Sequence, residues 1–585
     1  MKMKSLLFST ICAFCFIIVC AGANTSINKR VIHGGEQPLA QIAIHKTVQA
    51  LRDSAFIKST PFLLGLNGAD TEWVTVELSN SEPAIDDWIG VFSPAKFNES
   101  ICNPSPDEWS ETPFLCTAPI KYKFANDSNP KYIKSGRNII KFQLINQRSD
   151  FAFALFSGGL SNPKLVAVSN TIAFANPKAP VYPRLAHGKA WDEMTVTWTS
   201  GYNIDEAYPF VEWGTKGDAT PKRSPAGTLT FNQGSLCGPP ARTVGWRHPG
   251  YIHTSFLKDL WPNMEYYYKL GHVLMNGSIV WSKSYSFRAS PFPGQESLQR
   301  VIIFGDMGKA ERDGSNEHAD YQPGSLMTTD QLISDLDNID IVFLIGDLPY
   351  ANGYISQWDQ FTAQVAPITS IKPFMIASGN HERTWVDSGS FFNAMDSGGE
   401  CGVPAETLYY FPAENRAKFW LKECSLMAAH RPLGYSSNDF YANEGSFEEP
   451  EGRAHLQKLW QKHRVDIAFF GHVHNYERVC PIYQNQCVKE GTSHYSGVVN
   501  GTIHVVAGGG GSHLSQFTKI NTFWSIYKDY DYGFVKLTAF NRSSLLFEYK
   551  KSSDGKVYDS FTISKDYRDV LACVHDGCEP TTLAT

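Results

Sequence analysis

Beyond residue 20 the chain has no apolar run long enough to span a bilayer, no lysine- or arginine-rich block, no low-complexity tract and no strong internal repeat. Each absence removes a class of protein. A helical membrane span needs about 20 consecutive apolar residues. A nucleic-acid partner needs a basic face, which a formal net charge of −6 over 585 residues does not supply. Charge is scarce as well, at 19% against 42% hydrophobic and 13% aromatic residues, which excludes a disordered chain and favours a strand-rich globular one. At this length a single core is not the default, so about two to four domains are expected.

What is there begins with MKMKSLLFSTICAFCFIIVCAGANTS: two lysines, one short apolar run, then small residues. That order is expected of a secretory signal over residues 1–23, with an uncleaved anchor as the alternative. The end, CVHDGCEPTTLAT, has no apolar tail of the lipid-anchor kind, so a soluble exported protein is expected, extracellular or in a cell wall. Setting aside Cys12, Cys15 and Cys20 leaves nine of the 12 cysteines, with close pairs Cys102/Cys116, Cys480/Cys487 and Cys573/Cys578 that suit local disulfides in that compartment. Nine is odd, so one thiol is left over or bonds between chains. None of the pairs has a zinc-finger context. Acceptor patterns for N-glycans start at Asn24, Asn98, Asn126, Asn276, Asn500 and Asn541.

Segments such as WVTVELSN, WIGVFSP, NIIKFQLI and FAFALFSGG alternate or run apolar for strand lengths, and predict a β-rich module over residues 24–175. A proline-containing bridge leads to a second strand series, MTVTWTS to YSFRAS, expected to form an immunoglobulin- or fibronectin-like sandwich over 176–297. The pattern then changes. VIIFGDMG, IDIVFLIGDLPY, KPFMIASGNHE, CSLMAAHRP, VDIAFFGHVHNYE and TIHVVAGGGGSH are nearly continuous apolar runs ending in glycine or polar residues, with helices expected at LMTTDQLISDLDN and GRAHLQKLWQKH. This predicts a layered α/β domain over 298–515, completed by 516–585. Its polar strand ends should share one edge of the sheet, where such folds carry their sites.

Those ends supply Asp306 from GDMG, Asp347 and Tyr350 from GDLPY, Asn380 and His381 from GNHE, His430 from AAHRP, and His472 and His474 from GHVHNYE. Any one of them alone reads better as a cap, a packed ring or a hydrogen bond. Five such clusters in order read better as a metal site. Two carboxylates, a phenol, an amide oxygen and three imidazoles exceed what one ion needs and suffice for two if Asp347 bridges. Oxygen-rich ligation with a tyrosinate suits a hard trivalent ion, and an Asn-His-His-Asp set suits a borderline divalent one. His472 and His474, two apart on an expected extended segment, would turn both rings to one side. A binuclear site of this kind answers the needs of phosphate-ester cleavage. His381 is a candidate for phosphate contact or proton transfer, while Glu382 and Glu477 read as orienting groups.

The order GDMG, GDLPY, GNHE, AHR, GHVH resembles the five-block signature of the purple acid phosphatases, in the large plant form with an additional N-terminal region. GDMGKAERDGS, YQPGSLMTTDQLI, DYDYGFVKLTAF and VLACVHDGCEPTT extend the resemblance almost throughout the chain. It implies a fibronectin-like module ahead of a calcineurin-like metallophosphoesterase domain, secretion and glycosylation. It also implies Fe(3+) held by Asp306, Tyr350 and His474, bridging by Asp347, and Zn(2+), Mn(2+) or Fe(2+) held by Asn380, His430 and His472. On this reading Asp347 and His381 are the catalytic residues, and Asn380, His381, His472 and His474 contact a phosphate monoester or a nucleotide diphosphate ester. A homodimer is left open.

Three departures bear on activity. Asp439 and Phe440 stand where smaller plant enzymes carry adjacent histidines that bind phosphate and protonate the leaving group; neither supplies a cation or a ready proton. AENRAKFW runs directly into LKECSLMAAHR, so a few dozen residues customary in large members are absent between about Trp420 and Leu421, along with a partner for Cys424. Pro349 replaces a common serine or threonine between Asp347 and Tyr350. The expected function is secreted, metal-dependent hydrolysis of phosphate esters, of acid phosphatase or nucleotide pyrophosphatase/phosphodiesterase type. The alternative is a catalytically weak or inactive phosphate-binding or interaction protein.

Overall fold

The computed structural model describes residues 48–49, 51–97, 117–292, 298–316, 322, 324–390, 392–412, 426–438, 441–442, 452–489, 491, 493–541 and 543–565. The expected secretory signal (1–23), Asn24, Asn98, Cys102, Cys116, Cys424, Asp439, Phe440, Cys573, Cys578 and the Trp420/Leu421 junction lie outside them. Among the described residues no helix is long and apolar enough to cross a membrane.

Alternation produces the first module. Thr71–Ser79 and Arg137–Ile145 bury every second side chain, and they pair antiparallel in a three-stranded sheet with Phe56–Thr60. Against it lies a five-stranded sheet that includes Trp88–Phe92 and Ala152–Ser157, and Val74, Val76, Ile140, Phe142, Phe153 and Leu155 close the core between them. In the second module, Lys222–Leu229 pairs through residues 222–225 with Ala207–Gly214 and through 226–229 with Tyr251–Leu257, so that one strand serves both halves of the sandwich.

The second module buries two histidines. Trp198 Nε1 donates to His272 Nε2 (3.0 Å), and the His253 ring meets Ser200 Oγ (2.8 Å) and Thr228 Oγ1 (2.9 Å); both rings are 0% exposed. Burial holds both neutral, pushing His272 down to about 4 and, with His272 adding to the effect, His253 down to about 2. An unfolded histidine takes its proton near 6.5, so between pH 6.5 and 4 the unfolded chain binds protons that the folded module does not. Stability therefore falls as pH falls through that window. Between pH 7 and pH 5 a loss of about 2 kcal/mol per histidine is expected, measured as a lower urea midpoint by tryptophan fluorescence. An unchanged midpoint would contradict it.

Both modules are bolted to the third domain. Arg148 pairs with Asp359 (2.7 Å), Arg184 Nε donates to Leu408 O (2.7 Å), Tyr268 Oη donates to Ser370 O (2.7 Å), and a disulfide joins Cys237 to Cys401. That bridge pairs two cysteines the sequence reading left unassigned; the Cys480–Cys487 bridge joins one of the close pairs. Lys121, 1% exposed, reaches from the first module to Glu311 (2.7 Å) and Asp313 (2.8 Å), and Asp313 Oδ2 also accepts Gln143 N–H (2.7 Å). Tyr122 and Asn316 add an antiparallel bridge beside them. The loop that follows Asp306 is thus stitched into a sheet of the first module.

The third domain is a pair of facing sheets. One runs Phe374–Ala377, Ile341–Ile345, Gln299–Phe304, Gly533–Asn541, Ser544–Lys551, Val557–Ser564 and His494–Ser496, its first three strands parallel. The other contains Leu426–Ala429, Ile467–Phe470, Thr502–Ala507 and Tyr476–Tyr483. Their inner faces share Ile303, Ile345, Phe469, Val505, Val535 and Phe547. Helices Gly324–Ser334 and Ser356–Thr369 cover the first sheet through Leu332, Phe361 and Val365. Among the described residues Leu426–Ala429 ends its sheet, pairing only with Ile467–Phe470.

Candidate metal centre

Each strand that ends at the common edge delivers one part of a site. Gln299–Phe304 leads to Asp306, Ile341–Ile345 to Asp347 and Tyr350, Phe374–Ala377 to Asn380, Leu426–Ala429 to His430, and Ile467–Phe470 to His472 and His474. Asp306, Asp347, Tyr350 and His472 all adopt left-handed backbone conformations (φ +60°, +52°, +52° and +66°). Such residues each cost on the order of 1 kcal/mol and persist where surrounding structure over-determines them, which is characteristic of functional sites. The neighbouring glycines leave room for the acids: a Cβ on Gly379 would lie 2.1 Å from Asp347 Oδ1, and one on Gly471 would lie 2.6 Å from Asp306 Oδ2.

The side chains converge in two sets. Asp306, Asp347 and His474 form one, and Asp347, His430 and His472 the other, with ligand atoms inside each set within 4.8 Å of one another. Tyr350 Oη joins the first set, donating to Asp306 Oδ1 (3.0 Å) and lying 2.9 Å from His474 Nε2. Asn380 Oδ1 joins the second, 2.9 Å from both His430 Nε2 and His472 Nδ1. All seven expected ligands therefore meet, and Asp347 is common to both sets. The two histidines of GHVH reach them differently from the expected extended geometry: residues 472–475 form bends, His472 is left-handed, and the rings serve separate sets. The turn at His472 is fixed by Asp306 Oδ2, which accepts His472 N–H at 2.7 Å.

The electrostatics favour cations. Burial works against charge on His430, but Asp347 and Asp306 outweigh it and push that imidazole up to about 9; they raise His474 against its burial too. Burial and Asp306 hold the Tyr350 phenol well above its usual range, so a tyrosinate here requires a strongly positive neighbour. Asp347 Oδ2 is buried without a hydrogen-bond partner, although His430 Nε2 lies 3.1 Å away. An unsatisfied buried carboxylate oxygen is costly, and a bridging cation pair is what this donor set fits.

Outer contacts aim the ligands. Glu382 accepts N–H groups of Asp347 (2.9 Å), Leu348 (2.8 Å) and Gly379 (2.8 Å), while burial and Asp347 push its own pKa up to about 8. His430 Nδ1 donates to Ile345 O (3.1 Å), His474 Nδ1 to His513 O (2.8 Å), and Asn380 Nδ2 to Asp396 Oδ2 (2.9 Å). Glu477 holds Ser437 through its backbone N–H and its hydroxyl, both at 2.6 Å. His381 lies over Tyr350, ring centroids 4.4 Å apart, with Nδ1 donating to Asn352 Oδ1 (2.8 Å). A neutral His381 thus offers Nε2 as an acceptor, and the ring can donate to a phosphate oxygen only as imidazolium.

Sequence reasoning missed Asp396, Asn352, Arg431 and His513, whose ring packs 4.3 Å from that of His474. His513 ends the run GGGGSH, which carried the same signal as the other five strand ends. Asn276, Asn500 and Asn541 are exposed and Asn126 is half-buried.

Four family models tile the chain: an Fn3-like domain from purple acid phosphatase (57–176), the purple acid phosphatase N-terminal domain (180–289), calcineurin-like phosphoesterase (299–476) and the iron/zinc purple acid phosphatase-like C-terminal region (501–560). An Arabidopsis thaliana protein named "Probable inactive purple acid phosphatase 27" is 65% identical over 590 aligned positions, covering 94% of this chain and 96% of its own. A Hordeum vulgare protein named nucleotide pyrophosphatase/phosphodiesterase is 66% identical over 349 positions, covering 53% of this chain and 95% of its own. The solved structure of purple acid phosphatase PPD1 from yellow lupin seeds superposes with a TM-score of 0.84 at 61% identity, covering 91% of this chain and all of that one. Since 94% of 585 residues is about 550, the 590-position alignment holds about 40 positions where the Arabidopsis protein has residues and this chain has none. The barley alignment gives nearly the same shortfall, 349 positions against about 310 residues. With its domains, its site and its relatives in agreement along nearly its whole length, the chain belongs to the purple acid phosphatase family of calcineurin-like metallophosphoesterases.

Proposed function

We propose that this chain holds two metal ions and binds phosphoryl groups on them with little or no turnover. The shared carboxylate of Asp347 carries the first half of the reading, because one acid common to two buried donor sets is the signature of a paired-ion site. The second half rests on the Arabidopsis relatives that align over 94% of the chain at 59% to 65% identity, all three named "Probable inactive" purple acid phosphatases, and on the shortfall of about 40 positions. In this reading Asp306, Tyr350 and His474 hold a ferric ion, and Asn380, His430 and His472 hold zinc, manganese or ferrous iron. Bound ions of that kind neutralise phosphoryl charge and make water nucleophilic at moderate pH. The chain's own residues orient and exclude: Glu382 fixes the turn at Asp347, Asp396 fixes the amide of Asn380, and His381 presents a ring nitrogen over Tyr350. The opening MKMKSLLFSTICAFCFIIVC motivates the further proposal of export, with glycans on the exposed asparagines.

A second reading, active hydrolysis of a nucleotide diphosphate ester, is favoured by the complete set of seven donors and by the name of the barley relative. Metal-loaded chain assayed with a generic phosphomonoester and with a nucleotide diphosphate ester decides between them. The leading reading expects two metal equivalents, saturable phosphate binding and negligible release from either ester. Sustained turnover of the diphosphate ester would replace it with the second reading, and a chain that neither binds phosphate nor cleaves the diphosphate ester would overturn both.

A further inference from the structure

The long loop of the second module between Lys222–Leu229 and Tyr251–Leu257 lies against the third domain beside the donors. Cys237 N–H donates to Gly399 O (2.8 Å), Ala241 N–H donates to Gly398 O (3.1 Å), and Gly245 O accepts Ile355 N–H (2.9 Å). The Cys237–Cys401 disulfide makes the contact covalent. Leu236 and Ala241, both buried, share an apolar cluster with Ile355 and Val403.

The two stretches gripped by this loop are the ones that aim Asn380 and His381. In the first, residues 351–355, Asn352 Oδ1 accepts the His381 Nδ1 proton (2.8 Å). In the second, residues 396–402, Asp396 Oδ2 accepts the Asn380 amide (2.9 Å), Ser397 N–H donates to Thr384 O (3.1 Å) and Gly402 N–H to Glu382 O (2.7 Å), so that this stretch follows the short helix Asn380–Arg383 from end to end. Glu400 ties the two together, accepting Gly353 N–H (2.7 Å) and Trp358 Nε1–H (2.9 Å). Neither stretch belongs to a strand, so no ladder fixes its backbone, and the spacing between them depends on what grips both. The fit is close: a Cβ on Gly245 would overlap Gly353 O, and one on Gly398 would overlap Asn352 O. Asp306 and His474, by contrast, follow strands of the two sheets, and their further contacts, His472 N–H and His513 O, lie outside both stretches.

We propose that the second module is a positioning element of the metal centre, its loop from Cys237 to Gly245 clasping residues 351–355 and 396–402 together and so holding Asn380 and His381 in register with the donors carried by the sheets. The inference rests on the paired-ion reading given above and gives the second donor set a support from outside the phosphoesterase domain. Ligands keep their affinity only while the shell behind them is locked, and here part of that shell is borrowed.

The test uses the full metal-loaded chain and two variants that touch no donor. Cys237→Ala combined with Cys401→Ala opens the covalent link, and Gly245→Ala presses a methyl group against Gly353 O with the disulfide intact. Both are expected to weaken retention of the divalent ion against a chelator by about tenfold, the lower end of the cost of losing an outer partner, while iron content and the visible tyrosinate-to-iron band persist. In the metal-free chain, amide hydrogen exchange over residues 380–384 should rise in both variants and stay unchanged over Gln299–Phe304 and Ile467–Phe470. A loop that merely staples two modules would lower the unfolding midpoint and leave divalent retention and exchange at 380–384 as they were; that result overturns the proposal, as does loss of both ions together. A wild-type chain that loads no metal overturns the paired-ion reading and this proposal with it, whereas variants that match a wild type loaded with two ions overturn the clasp alone.

Discussion

Asp347→Asn is expected to empty both metal positions at once. The substitution keeps the shape of the side chain and its tolerance of the left-handed backbone, φ +52° at this residue, so the fold should survive it. It removes the one carboxylate that belongs to both donor sets. Losing an outer partner of a metal ligand typically costs 10- to 100-fold in affinity; losing a shared ligand should exceed about 10³-fold at each position. Elemental analysis should fall from two equivalents to near none, and the visible tyrosinate-to-iron band expected of the loaded protein should vanish. Glu382→Gln provides the comparison, because the Glu382 carboxylate accepts backbone N–H groups of Asp347, Leu348 and Gly379 and belongs to neither donor set, so it should cost no more than the outer-partner range. Retention of two metals by Asp347→Asn would refute the shared-ligand assignment.

Adding, at the Trp420/Leu421 junction, the residues expected there should stabilise the chain strongly. His430 is carried by Leu426–Ala429, which among the described residues ends its sheet and has a partner on one side only. The alignments place about 40 residues in relatives where this chain has none. A segment that supplies a neighbouring strand would add four residues' worth of pairing, at roughly 1 kcal/mol per hydrogen bond about 4 kcal/mol in all. For a domain of this size that raises the unfolding midpoint by about 10 °C. Seating His430 more firmly should also raise metal retention through gel filtration. The comparison is between this chain and a version carrying the corresponding segment of the Arabidopsis relative. Identical midpoints, cooperativity and metal content would show that LKECSLMAA fully replaces what is absent.

The ligands were legible because a buried parallel strand is an unbroken apolar run, and the residue after it is forced to the sheet edge. VIIFGD, FLIGD and AFFGH each state both facts in six residues or fewer. The sandwich strands were legible for a related reason, since alternation in WVTVELSN or NIIKFQLI leaves few other ways to bury one face. What escaped notice depends on contacts between distant segments. No local pattern pairs Cys237 with Cys401 across 164 residues, or aims Asp396 at Asn380. Both rings of His472 and His474 reach the site, but the extended backbone expected between them was misjudged, because Asp306 bends the chain at His472 in a way that no local spacing states. His513 was visible in GGGGSH beside Ser512, but five residues separate it from the strand end at Ala507, too many for the strand to fix its position.

The Lys121 clamp makes the boundary between modules a boundary of sequence only. Glu311 and Asp313 belong to the loop that follows Asp306, and their buried charges are balanced by an ammonium borrowed from another module, with Gln143 lending an N–H group. A phosphoesterase domain cut free at residue 298 would leave both acids at the cut face without that cation. Lys309 remains 3.8 Å from Glu311, but Asp313 loses its ammonium, so exchanging the first module for one without a lysine at this place should destabilise the loop even though separate family models describe the two regions. The loop that carries Asp306 is in this way held in place by a module that contributes no residue to either donor set.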